Sequence, residues 1–140
     1  MANFDSSLDR WRPEALAALR IMTALLFLSH GLSKLFGIPA TFTPEAWTLP
    51  WIAGVLELVG GTLLLVGFLT RPVAFILSGM MAVAYFMAHA PQGFFPLVNQ
   101  GELAILYSFV FLYFVFAGAG AWSVDARRGH AAGRPVVASS

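Results

Sequence analysis

Four long apolar runs constrain this chain more than any other feature. They cover Leu16–Gly37, Leu49–Leu69, Val73–Ala90 and Leu103–Ala121. Each is about 18–22 residues long, and a helix rising 1.5 Å per residue needs about 20 residues to cross a hydrocarbon core about 30 Å thick. The runs lack period-2 alternation and are too long for strands, so helices are expected. The chain is 59% apolar and 11% charged, whereas a soluble domain carries about 25% charged residues. The expected fold is therefore all-α, an integral membrane four-helix bundle, with the lipid bilayer as its first partner.

The breaks between the runs carry helix-start signals. Pro13, Pro50 and Pro72 sit where a first-turn proline fits, because that N–H has no intrahelical acceptor. Asn99 precedes Glu102 by three, the spacing of a capping box. Thr43-Pro44-Glu45 has the chemistry to open a short interfacial helix. Trp47 and Trp51 suit one membrane boundary, and Trp11 and Trp122 the other.

Arginine gives the orientation. Arg10 and Arg12 precede the first run, Arg71 lies between the second and third, and Arg127, Arg128 and Arg134 follow the fourth. The other two connections hold no arginine or lysine. The positive-inside rule then puts both termini and the Arg71 turn in the cytoplasm. The implied organisation is a cytoplasmic N-terminal segment (1–13), a four-helix transmembrane domain (14–122) and a flexible cytoplasmic tail (123–140). The first run is longer than a signal-peptide core and holds Arg20, His30 and Lys34, so it reads as a span. The implied location is a bacterial inner (plasma) membrane.

Several classes are excluded. Net charge is +1 and no cysteine occurs. No basic stripe suggests a nucleic-acid partner. Disulfides, dithiol chemistry, cysteine-ligated iron–sulfur clusters and C-type haem attachment are ruled out. Any redox role needs a quinone-like substrate, a bound cofactor or a partner.

Ionisable groups inside the runs are the candidate site. A charge at mid-bilayer costs about 2.5–3.5 kcal/mol on the insertion scale, so such residues pair, neutralise or face a polar cavity. Counting turns places His30, Lys34, Glu57, His89 and Glu102 in the outer half. Glu57 lies about 12 Å into its helix. These five are the candidates for ligand binding or proton exchange. Each has a plain alternative. Lys34 snorkels to the interface, Glu102 caps a helix, His89 marks a helix end before Pro91, and Glu57 pairs with His30 or Lys34 to fix packing. Arg20 is read as structural, snorkelling inward or pairing with Asp125. Arg71, Gly60 and Gly61 are also read as structural, the glycines admitting a neighbouring helix. His30, His89, Glu57 and Glu102 are chemically suitable metal ligands, but no local ligand spacing exists, so no metal is expected.

Together these residues resemble the DoxX family of small four-helix bacterial membrane proteins. The resemblance rests on Arg20, an apolar run into His30-Gly31 and Lys34, and Glu57 with Gly60-Gly61. It continues through Gly67-Phe68-Leu69-Thr70-Arg71-Pro72, Asn99 with Gly101-Glu102, and Gly118-Ala119-Gly120 before Ser123-Val124-Asp125. It implies a membrane protein tied in some members to thiosulfate:quinone oxidoreductases or terminal oxidases, and in others to quinone or catechol stress. Three readings remain open in the sequence. One is a quinone-interacting subunit of a membrane oxidoreductase, dependent on a redox partner protein. The second is a noncatalytic scaffold or accessory subunit that assembles with itself or another membrane protein. The third is a transporter of protons or a small solute.

Overall fold

A computed structural model of the chain describes residues 7–132. Among them it holds helices and no strand. We label them α1 (Arg12–Phe36), α2 (Leu49–Val66), α3 (Thr70–Ala84), α4 (Pro96–Asn99), α5 (Glu102–Ala117) and α6 (Val124–Ala132). α3 runs on through a π-helical turn, Tyr85–His89, and a 3-10 turn, Ala90–Gln92. Three of these helices are long and apolar enough to cross a membrane: α1 with 25 residues, α2 with 18, and α3 with its extension, 23.

The fourth apolar run is the exception. α5 has 16 residues, about 24 Å at the helical rise. It stops four residues short of the expected end because Gly118 takes φ 84, ψ −158, and the chain then turns across the base of the molecule.

Packing is closest between α1 and α2 and between α3 and α5, while α1 touches α5 only sparsely. The core gathers Phe27 from α1, Leu64 from α2, Leu77 and Met81 from α3, and Tyr107, Phe111 and Phe114 from α5. Large apolar side chains also point outward, including Phe75, Phe109 and Phe116. Helices apolar on every face belong in lipid. The paired glycines of α2 divide their work. A Cβ on Gly60 would lie 2.8 Å from the Leu77 side chain on α3, and one on Gly61 2.8 Å from Leu28 on α1. Successive residues point about 100° apart, so two neighbours are admitted at one level.

Local signals were redirected in three places. Thr43–Glu45 is not helical; the carbonyl of Glu45 accepts from the backbone N–H and the hydroxyl of Thr48 in a turn before α2. The capping box does not form. Asn99 ends α4, its Oδ1 accepts from the Gly101 N–H at 2.8 Å, and Gly101 becomes the N-cap of α5. The segment expected as a flexible tail contains α6, fastened at its start by Asp125. Residues 133–140, and the first six residues of the N-terminal segment, lie outside the described residues.

Candidate functional site

Two glycines set the crossing of α1 on α2. A Cβ on Gly31 would stand 2.8 Å from the Leu58 nitrogen and 2.9 Å from the Gly54 oxygen, and one on Gly54 would stand 2.9 Å from the Lys34 Cβ. Backbones this close leave no room for side chains between them. Lys34, one turn beyond Gly31, therefore meets Glu57. Its Nζ lies 2.5 Å from Glu57 Oε1. The Glu57 side chain is 5% exposed and that of Lys34 21%. Glu57 Oε2 is buried and has no hydrogen-bond partner. Buried polar atoms are rarely left this way, so half of this carboxyl's accepting capacity is unused by the fold.

Tyr107 on α5 completes the surroundings. It is buried, its ring stacked on Phe111 at 5.6 Å and edge-on to Phe27 at 5.1 Å. His30 meets the Tyr107 ring edge-on, with centroids 6.1 Å apart, and reaches the surface. Lys34 and Glu57 are thus in direct contact. His30 packs on Tyr107 and makes no hydrogen bond to Glu57.

His89 belongs to a second cluster. Its Nδ1 is 3.0 Å from the Asn99 carbonyl oxygen. A carbonyl only accepts, so Nδ1 carries the proton and Nε2 of the neutral ring is the acceptor. The ring stacks on Tyr85 at 6.4 Å. The Asn99 amide donates to the Gly93 carbonyl at 2.8 Å and to the Tyr85 hydroxyl at 3.4 Å. Gly101 has no Cβ to meet the Tyr85 ring, which would lie 2.6 Å from one. Glu102 is exposed at the start of α5. The five candidates therefore divide into a buried ion pair, a histidine one ring away, a histidine in a separate cluster and a surface carboxylate. Tyr107 and Tyr85 were absent from the sequence candidates; their signal was a phenol within an apolar run, whose hydroxyl needs a partner when buried.

The opposite end is held by arginine. Arg20 is 0% exposed. Nε donates to Ala119 O at 2.7 Å, Nη1 to Leu64 O at 2.5 Å and Leu65 O at 2.7 Å, and Nη2 to Trp122 O at 3.0 Å and Ala121 O at 3.3 Å. All its acceptors are carbonyls, so the expected pairing with Asp125 is replaced by a tie between the end of α2 and the turn after α5. Arg71 donates from Nη1 to Val115 O and Phe116 O, satisfying the last turn of α5. Asp125 accepts from the N–H groups of Leu69 and Thr70 at 3.0 and 2.8 Å, capping α3. Burial opposes its ionisation, but the backbone N–H groups of Thr70 and Leu69 and the Arg128 charge outweigh burial and hold its carboxyl below the ordinary value. Two open clefts lie at this end, away from Glu57. Between Arg20 and Glu57, the α1 face turned to the core presents Thr23, Ala24 and Phe27.

Helices apolar on all sides, with a few buried ionisable groups tied to carbonyls or to each other, define a multi-span integral membrane protein. The DoxX family profile matches residues 15–90. That stretch contains Arg20, His30, Lys34, Glu57, Arg71 and His89, and ends before Tyr107 and Asp125. An uncharacterized protein of Haemophilus influenzae is 48% identical over 127 residues, covering 86% of this chain and 95% of its own. An uncharacterized membrane protein of Mycobacterium tuberculosis is 30% identical, covering 82% of each chain. The inner membrane protein YqjF of Escherichia coli is 32% identical, covering 76% of this chain and 85% of its own. No solved structure matches it. The chain belongs to the DoxX family.

Proposed function

We propose that the protein is a quinone-interacting subunit of a membrane redox system, with its site at Lys34, Glu57, Tyr107 and His30. The observation that carries this reading is Glu57 Oε2, a carboxyl oxygen buried without a partner beside a lysine. A quinone has an apolar ring and carbonyl oxygens that seek donors; its reduced form has hydroxyls that seek acceptors. Lys34 supplies the donor and Oε2 the acceptor. His30, at the surface, exchanges protons with the surroundings. Reduction of a quinone takes two electrons and two protons. This chain's side chains carry protons and not electrons, so a redox partner protein supplies the electrons. His89, with its fixed tautomer, and Glu102 are further exchange groups near the same rim.

The arrangement in the membrane follows the charges. Four spans, with α5 the short one, place the Arg71 turn and α6 in the cytoplasm, and both chain ends there too. A bilayer thins or flanking residues snorkel to accommodate a short helix. The membrane is the bacterial inner membrane, the location named for the Escherichia coli relative.

Quinone binding to the protein in lipid nanodiscs tests the site. Saturable binding by wild type, lost in His30→Ala and Glu57→Gln, is the expected result. No binding by folded wild type refutes it and leaves the second reading, a noncatalytic scaffold or accessory subunit. The close Gly31–Gly54 crossing favours that alternative, because there the Lys34–Glu57 pair fixes helix packing.

A further inference from the structure

α1 and α5 touch only sparsely. The gap between them is a cleft of about 660 Å³ lined by Leu16, Leu19, Tyr113 and Ala117, with Arg12 at its mouth. Across the turn after α5 is a second open cleft of about 420 Å³, lined by Arg71, Thr70, Gly118 and Asp125. Ala117 and Gly120 border both. One cleft is apolar along the helices; the other carries one cation and one anion.

The donors and acceptors in the charged cleft are only partly used. Arg71 spends Nη1 on the carbonyls of Val115 and Phe116. Its Nε and Nη2 have no hydrogen bond among the described residues. They lie over Gly118, where a Cβ would stand 3.3 Å from Nη2. Each Asp125 oxygen accepts one backbone N–H and retains a further lone pair. Arg12 is already paired with Asp9 at 2.8 Å, and Arg71 is the cation that lines this cleft.

We infer that this end of the molecule binds a phospholipid with a phosphoethanolamine head, phosphate on Arg71 and ammonium on Asp125, and one acyl chain along Leu16, Leu19 and Tyr113. An anionic head without an ammonium meets the Asp125 carboxylate, whose charge only Arg128 offsets in part. A quaternary ammonium has no N–H to donate to it. The primary ammonium satisfies both charges in one short group. The site is independent of the quinone reading and lies at the other end of the helices.

Native mass spectrometry of the full chain in detergent, titrated with phosphatidylethanolamine, phosphatidylglycerol or phosphatidylcholine of matched chains, tests it. Wild type retains phosphatidylethanolamine over the other two on the order of tenfold, the effect of one charge-assisted contact. Arg71→Gln weakens retention of all three. Asp125→Asn, whose one carbonyl oxygen keeps one of the two cap bonds on α3, abolishes the preference for phosphatidylethanolamine over phosphatidylglycerol. Ala15→Trp, at an exposed position bordering the apolar cleft, fills the groove and lowers retention of every phospholipid with the fold intact. Equal retention of the three lipids by wild type, preference for phosphatidylglycerol, or an Ala15→Trp protein that binds like wild type overturns the assignment.

Discussion

Replacing Arg20 with methionine keeps the apolar stem and removes the guanidinium. Five donated hydrogen bonds disappear at once, to the carbonyls of Leu64, Leu65, Ala119, Ala121 and Trp122. Each bond to a charged donor contributes about 1.5–3 kcal/mol, but their sum overstates the effect. Burying a guanidinium costs several kcal/mol, and Leu64 O keeps a bond from the Gly67 N–H at 3.1 Å. Breaking a buried charged network from one side costs about 3–5 kcal/mol, and that is the expected loss. Arg20→Lys retains the charge with three donors in place of five, so its loss falls between wild type and Arg20→Met. Reversible unfolding in mixed micelles, titrated with a denaturing detergent and followed by helical circular dichroism, measures both. An Arg20→Met protein within about 0.5 kcal/mol of wild type would refute the tie, since surface substitutions alone fall in that range.

Lys34→Met leaves the Glu57 carboxyl buried without its cation and should destabilise by about 3–5 kcal/mol; adding Glu57→Gln should recover much of it, and additive losses in a double-mutant cycle would show that the two do not interact. Gly31→Ala forces a Cβ into the backbone of α2, for an expected loss of about 1–3 kcal/mol and weaker Lys34–Glu57 pairing; unchanged unfolding would contradict the close crossing. Asp125 has a lowered pKa in the fold, so its contribution is full above the ordinary carboxylate range and is lost as pH falls through the folded value. Proteolysis of α6 should therefore rise in acid for wild type and stay level for Asp125→Asn, and parallel profiles would show that another group governs the acid response.

The apolar runs made the helices legible, since 18 or more apolar residues leave few alternatives. Depth counting set Glu57 level with His30 and left Lys34 shallower, yet Lys34 is the one that meets Glu57. Residues four apart differ by about 40° around a helix, enough to send Lys34 to α2 and His30 to Tyr107 on α5. Asn99 shows a different loss of information. The three-residue spacing to Glu102 is real, but a left-handed Gln100, φ 58, lets Asn99 bond to Gly101 and moves the cap two residues on. The length of α5 was hidden by alanines and glycines at 117–121, which look apolar in a sequence but turn away as backbone. Arg20 was read as structural because it lay alone in the inner half; its acceptors are backbone carbonyls, which no side-chain pattern announces.

Arg20 also imposes a timetable on synthesis. Two of its acceptors lie 44 and 45 residues further along the chain, and the others 99 to 102 residues further. At about 5–20 residues per second, the last of them emerge about 5–20 s after α1. Through that interval a guanidinium eight residues inside the first span has no completed cradle. The newborn helix must wait with Arg20 drawn toward its arginine-rich end, or sheltered by the insertion machinery. The final seating of α1 therefore comes after α5 and the turn that follows it are made, and the first span translated is among the last to settle.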